Sequence, residues 1–224
     1  MLQNCLDSNR LEAGLDEAGR GCLFGRVYTA AVILPPDLVE EKGLIIKDSK
    51  KVSKKKRAKL RKFIEENAID FSVAYSESYE IDEDNILKTT MNTMHKAIDG
   101  LKIKPEFLLV DGNYFIPYND GKKNINHRCI IDGDNSFKAI AAASILAKEY
   151  RDEYIEKLCN ENRIYMKYDL HHNKGYGTRT HIEAIKKYGI TAEHRRTFGI
   201  CKEMPLFEDI DMEEDKEKNN IFVL

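Results

Sequence analysis

The stretch "NSFKAIAAASILAKEYRDEYIEKLC", residues 135 to 159, constrains the fold more than any other part of the chain. It reads as one long helix, and its run of Ala141, Ala142, Ala143 and Ser144 gives that helix a surface of small side chains, which lets a helix approach a sheet closely. Segments with the apolar alternation or clustering of buried strands supply the sheet: "LEAGLDEA" (11 to 18), "RVYTAAVIL" (26 to 34), "DFSVAYSES" (70 to 78), "FLLVDG" (107 to 112) and "HRCIID" (127 to 132). Three further helical patterns are interleaved. One starts at Ser53, a good N-cap, and runs through Leu60, Phe63 and Ile64 to about Asn67. A second covers about Ile81 to Leu101, with Ile86, Leu87, Met91, Met94 and Ile98 near helical spacing, and a third covers about Thr178 to Tyr188 and stops at Gly189. The economical architecture is a mixed α/β sandwich of sheet and helices.

With 224 residues, 42% of them hydrophobic, the chain suits one globular domain over residues 1 to 205, followed by an acidic tail over 206 to 224. No apolar run approaches the roughly 18 residues of a spanning helix, and the N-terminus lacks the basic-then-apolar pattern of a signal peptide, so the sequence reads as a soluble, cytoplasmic protein with no membrane contact. Five scattered cysteines form neither a disulfide framework nor a zinc cluster, and imply a reducing compartment. The net charge of −2 hides an asymmetry: the tail carries seven acidic and two basic residues, which leaves the preceding body at +3. Within that body "KDSKKVSKKKRAKLRK" (47 to 62) sets ten Lys and Arg against one Asp, either as the solvated face of a helix or as a patch that tracks phosphates.

Four acids stand at element ends. Asp16 and Glu17 lie at or just past a short strand, in "GLDEAGRG"; Asp111 follows "FLLV" and precedes Gly112; Asp134 follows "CIIDG" before the alanine-rich helix. Singly, Asp134 reads as a helix cap and Asp111 as a turn former. Together they read as a cluster of hard oxygen ligands, since carboxylates converging without a compensating Arg or Lys need a cation, for which Mg²⁺ or Mn²⁺ is suited. Two such ions about 3.5–4 Å apart are the arrangement that serves phosphodiester hydrolysis.

The blocks "GLDEAGRG", "KDSKKVSKKKR", "LLVDG", "GD" before "IAAASILAKEYRD", and "HNKGYGT" occur in the order and with separations similar to those of the ribonuclease HII family, the type 2 ribonucleases H. The resemblance spans roughly residues 12 to 200. It implies a ribonuclease-H-like mixed sheet flanked by helices, with a small helical C-terminal part. It also implies an endonuclease that cleaves the RNA strand of RNA–DNA hybrids and nicks DNA on the 5′ side of embedded ribonucleotides, leaving a 3′-hydroxyl, as in ribonucleotide excision repair and RNA primer removal. Carried over by position, the family's metal-binding acids fall on Asp16, Glu17, Asp111 and Asp134, with two divalent ions, Mg²⁺ or Mn²⁺. Gly19, Arg20 and Gly21 match the motif that surrounds the ribose 2′-hydroxyl and its phosphates. Ser49 and Lys50, after Asp48, match a backbone-contacting motif, and Tyr176 matches the tyrosine that stacks on the sugar at the junction. Lys148 and Arg151 lie on the helix face near the site or in solvent, and Thr178 and His181 are further candidates.

The chain departs from the family pattern at Cys22, Phe24 and Arg26, which stand where a proline, a small residue and a proline are common, and at Asn173, where a histidine often precedes the lysine. These changes bear on loop geometry and on contacts beside the scissile phosphate rather than on metal ligands. His171 and His172 resemble a zinc pair, but without a second cluster to complete four ligands they are assigned no metal. Two rival readings remain: a type 3 ribonuclease H, disfavoured by the thirteen residues before Gly14 and by arginine at position 20, and an inactive nucleic-acid-binding module, disfavoured by the four intact acids. The chain is expected to act on nucleic acid as a monomer, its protein partners unknown, and the terminal "NNIFVL" lacks the glutamine-led pattern of clamp-binding peptides.

Overall fold

The computed structural model describes residues 2–40 and 44–207, so the acidic tail beyond Phe207 and the terminal "NNIFVL" lie outside the described residues. The chain divides into two compact units, the first made of Met1–Arg20, Val27–Ser76 and Ile86–Asp152 and the second of Gly21–Arg26, Glu77–Asn85 and Glu153–Leu224. The strands are β1 (Glu12–Ala18), β2 (Val27–Ile33), β3 (Asp70–Ser76), β4 (Phe107–Asp111) and β5 (Asn126–Ile130). The helices are α1 (Lys54–Asn67), α2 (Ser78–Asp84), α3 (Ile86–Asp99), α4 (Lys138–Glu161), α5 (Leu170–Asn173) and α6 (Arg179–Tyr188).

In the first unit the five strands form one mixed sheet in the order β3-β2-β1-β4-β5. β1 pairs antiparallel with β2 and parallel with β4; β2 and β3 are antiparallel, β4 and β5 parallel. Alternation along β2 sends Ala30 and Val32 into a core shared with Leu60, Phe63 and Ile64 of α1 and with Ala141, Ala142 and Ile145 of α4. Ala31 and Ile33 enter the opposite core, with Met91, Met94 and Ile98 of α3 and with Leu108 and Val110 of β4. Every residue of β2 is therefore buried. At about 1.5–3 kcal/mol for each large apolar side chain removed from water, these two cores are the main stabilising term of the unit.

The alanine-rich helix meets the sheet as its composition requires. A Cβ on Gly14 of β1 would lie 2.2 Å from the Ala139 carbonyl carbon and 2.4 Å from the Ile140 nitrogen, so α4 rests directly on a glycine of the central strand.

Two helix boundaries differ from the sequence pattern. The span from Ile81 to Leu101 is two helices, broken at Asn85, whose φ of 75° no helix accommodates; α2 is closed at its start by a capping box between Glu77 and Glu80. α4 starts at Lys138 rather than at Asn135, because Gly133–Asn135 forms a separate turn of 3₁₀ helix. Asp134 is thus a member of that turn and not the cap of α4. The other helices start and stop close to the pattern, with Thr178 capping α6 and Gly189 ending it at a φ of 74°.

The second unit has its own core, in which Phe24, Ile155, Tyr168, Leu170, Ile185 and Cys201 are fully or almost fully buried. No described helix is long and apolar enough to cross a membrane.

Candidate active site

The register of two parallel strands brings the first two acids together. Leu15 of β1 is level with Val110 of β4, and the residues that follow this last paired position, Asp16 and Asp111, alternate onto the same face of neighbouring strands. Connections leave this pair in opposite directions across the sheet, toward β2 on one side and β5 on the other. In open α/β sheets such a reversal at the carboxyl ends of strands makes the crevice where ligands bind.

Asp134 is delivered by the turn between β5 and α4. The Asp111 Oδ1 accepts the Gly133 amide at 2.8 Å and the carboxylate is also bonded by the Asp134 amide, which ties the turn to the end of β4. Glycine precedes Asp134 for a steric reason: a Cβ at 133 would lie 2.6 Å from Ile140 Cδ1 and 3.2 Å from Asp111 Oδ1. Glu17 is oriented by Arg20, whose Nη1 lies 3.2 Å from Glu17 Oε1.

The electrostatics show how closely the acids crowd. Burial, then Glu17 and Asp111, push the Asp16 carboxyl well above its ordinary range, against the Ser144 hydroxyl and the Glu17 amide that favour its anion. Burial and then Asp48 and Asp111 raise Asp134 to about 6. Asp111 and Glu17 are raised too, chiefly by burial. Like charges in a poorly hydrated cleft make each other costly to ionise, and a bound cation removes that cost.

The cluster is not free of basic residues, contrary to the expectation from spacing. Burial disfavours the Lys50 ammonium, yet Asp134, Asp48, Asp16 and Asp111 together raise its pKa. Lys50, Lys51 on Asp48 and Arg20 on Glu17 face five carboxylates, so a deficit of positive charge remains. Asp48 also belongs to this group: burial opposes its charge, but the Lys50 amide and ammonium hold it below its usual value, and it shares a hydrogen bond with Asp134. Spacing missed Asp48 and Ser144. Ser49 is buried, and its hydroxyl lies 3.0 Å from that of Ser144, which in turn bonds Asp16. The Ser49 and Ser144 pair therefore forms a chain of hydroxyls ending on a site carboxylate.

The basic run divides by role. Arg57 is buried, with Nε 2.6 Å from Glu149 and Nη2 3.3 Å from Asp152 of α4, and Arg61 lies over the Tyr150 ring at 3.9 Å. Lys51 reaches Asn135 and Asp48, while Lys55, Lys59 and Lys62 are exposed on α1. Lys148 donates to Asp152 at 2.5 Å, and Arg151 is fully buried against Gly19, where a Cβ would lie 2.1 Å from its Nε. Gly19, at a φ of 92°, is thus shaped by Arg151 as much as by any ligand.

Gly21 and Tyr176 belong to the second unit, where they are neighbours. Cys22 bridges Tyr176 in antiparallel fashion, and the Leu23 amide donates to the Gly175 carbonyl at 2.9 Å. A Cβ on Gly21 would meet nothing within 4 Å. The Tyr176 side chain is 42% exposed, while its backbone is held firmly: its amide donates to the Asn173 carbonyl at 3.0 Å, and its carbonyl lies 2.9 Å from His181 Nδ1. Thr191 donates its amide to His194 Nδ1, which leaves the proton of neutral His194 on Nε2, 3.1 Å from His181 Nε2. The His181 proton is then on Nδ1, facing the Tyr176 carbonyl, so one chain of bonds fixes both tautomers.

The departures in sequence have structural employment in the same unit. Asn173 is buried, donating to the Tyr168 carbonyl and accepting the Gly175 amide. Phe24 packs edge-on to Tyr165 and His194, and Arg26 pairs with Glu77 while lying over the Tyr154 ring.

Among solved structures, the ribonuclease H2 from Pyrococcus horikoshii superposes with a TM-score of 0.72 at 27% identity, covering 86% of this chain and 95% of that one. The ribonuclease HII of Archaeoglobus fulgidus, solved in a complex with PCNA, gives 0.68 at 26% identity, covering 85% and 96%. The sheet order and these likenesses define an α/β protein of the ribonuclease-H-like fold. A family model described as Ribonuclease HII matches residues 13–201. The Ribonuclease HII of Parabacteroides distasonis is 50% identical over 203 residues, 91% of this chain and 97% of that protein, and that of Christiangramia forsetii is 50% identical over 188 residues, 84% and 90%. The chain belongs to the ribonuclease HII family, and with it to the hydrolytic endonucleases of ribonuclease H type.

Proposed function

We propose that the protein cleaves the RNA strand of RNA–DNA hybrids and nicks duplex DNA on the 5′ side of single embedded ribonucleotides, leaving a 3′-hydroxyl, with Asp16, Glu17, Asp111 and Asp134 as its metal ligands. The observation that carries this reading is the crowding of these carboxylates, raised by burial and by one another and offset in part by Lys50 and Arg20. An all-oxygen donor set of this charge fits Mg²⁺ or Mn²⁺. Two such ions, when bound, supply an activated water and positive charge at the leaving oxygen.

The chain's own residues do the rest. The Ser144 hydroxyl and the Glu17 amide hold Asp16 as an acceptor, and the Gly133 and Asp134 amides do the same for Asp111. Lys50 offsets part of the acid repulsion and supplies a cation for a phosphate, with Ser49 positioned beside it. Gly19, Arg20 and Gly21 surround the ribonucleotide, and Tyr176 offers a ring face to the sugar next to the junction, the 2′-hydroxyl being the feature that separates RNA from DNA. Exposed Lys55, Lys59 and Lys62 track the duplex phosphates. The same reading places the protein in ribonucleotide excision repair and RNA primer removal, acting in the cytoplasm as a monomer.

The test is a duplex DNA carrying one ribonucleotide, incubated with the protein in Mg²⁺ or Mn²⁺, with the product ends mapped. A single cut 5′ of the ribonucleotide with a 3′-hydroxyl is expected. Tight binding without cleavage in either metal would replace the reading with that of a nucleic-acid-binding module.

A further inference from the structure

In sequence, His171 and His172 lack further ligands; in the second unit Asp169 joins them. The ligand atoms of Asp169, His171 and His172 all lie within 4.8 Å of one another. Asp169 Oδ1 lies 2.7 Å from His172 Nδ1 and 3.9 Å from His171 Nδ1, and the two imidazoles are 3.7 Å apart between centroids. With bonds of about 2.0–2.1 Å to zinc, tetrahedral ligands stand about 3.3 Å from each other, so the spacing needs only small adjustment.

Two observations separate this cluster from an ordinary capped turn. Asp169 occupies the N-cap position of α5 in a left-handed conformation, yet its side chain makes no capping bond. Its carboxylate is instead directed at the two imidazoles, with Oδ2 accepting the Thr180 hydroxyl at 3.2 Å. His171 Nδ1 is buried and has no hydrogen-bond partner, the kind of orphaned atom that carries a desolvation cost unless something binds it. The His172 side chain is 73% exposed, which leaves an approach for an ion and room for water as a further ligand.

We propose that Asp169, His171 and His172 form a binding site for one transition-metal dication of the zinc type, different in donor chemistry from the four-carboxylate cluster. Two imidazoles and one carboxylate select Zn²⁺, Co²⁺, Ni²⁺ or Cu²⁺ over Mg²⁺, which prefers oxygen throughout. The bound ion staples the turn that leads through Asn173 to Tyr176, since the Tyr176 amide is bonded to the Asn173 carbonyl.

The test is a titration of Co²⁺ into the untagged full chain in excess Mg²⁺, followed by visible absorption and then by Zn²⁺ displacement. One equivalent of Co²⁺ is expected to bind with a ligand-field band of a four- or five-coordinate site, and His172→Ala and Asp169→Asn each weaken it at least tenfold. A doubly substituted Asp16→Asn, Asp134→Asn chain retains the band. The exposed His172 keeps the experiment readable if His171→Ala fails to fold, and Zn²⁺ is expected to raise the melting temperature of the wild type but not of His172→Ala. An unchanged Co²⁺ band in His172→Ala, or its loss in the Asp16→Asn, Asp134→Asn chain, overturns the proposal.

Discussion

Asp134 carries the sharpest tension between stability and function. Its carboxyl is raised to about 6 by burial and by Asp48 and Asp111, so at neutral pH the metal-free fold holds a charge that the unfolded chain holds more easily. Asp134→Asn keeps the shape and a donor toward Asp48 but removes the charge. Cleavage is expected to fall by about 100-fold or more, while the melting temperature in a chelator rises; a drop in that temperature would show that the acids do not repel one another. Gly19→Ala is expected to destabilise by about 1–3 kcal/mol in a denaturant titration, because a φ of 92° disfavours any side chain and Arg151 fills the space. For Tyr176→Ala, cutting at a single ribonucleotide should suffer more than cutting of a uniform hybrid. Equal losses on both substrates would remove the tyrosine from junction sensing.

At the level of elements, the contact between β1 and α4 has no slack. A methyl at Gly14 would overlap backbone atoms of Ala139 and Ile140, which cannot rotate away as a side chain can. Gly14→Ala is therefore expected to cost about 3 kcal/mol or more, read as a lowered midpoint of unfolding, with metal affinity reduced in whatever fraction remains folded. Exposed α1 makes a useful contrast: Lys55→Ala and Lys59→Ala leave stability within about 0.5 kcal/mol and weaken duplex binding with a shallower salt dependence.

For the whole molecule, pH acts through two opposed groups. His194 is held down to about 3 by burial and by His181, and His181 is lowered by burial, so both stay neutral in the fold. An unfolded histidine takes its proton near 6.5. Stability from His194 is therefore fully present above about pH 6.5 and is lost as pH falls toward about 3, with a slope of up to about 1.4 kcal/mol per pH unit, and His181 acts in the same direction. Asp134 works in the opposite sense, gaining stability as pH falls from about 6 toward its unfolded value near 4, and the raised Asp16 carboxyl acts in the same direction. The difference in unfolding free energy between wild type and His194→Gln, followed from pH 7 to 4, isolates the histidine contribution; a difference independent of pH would show that His194 is not held neutral.

The sequence by itself determined the elements whose signals are local. Five strands announced themselves by apolar runs, and α1 and α6 by periodicity and end residues. The tertiary structure decided what depends on residues distant in the chain. Asn85 breaks a helix whose apolar spacing continues unbroken, because periodicity records which face is buried and not the φ of one residue. Lys50 enters the acid cluster and Arg57 leaves the basic surface for the core, since charge along a sequence does not say which side chains fold inward. Convergence of Asp16 with Asp111 rests on the parallel register of β1 and β4, a pairing across about ninety residues that only long-range packing can set.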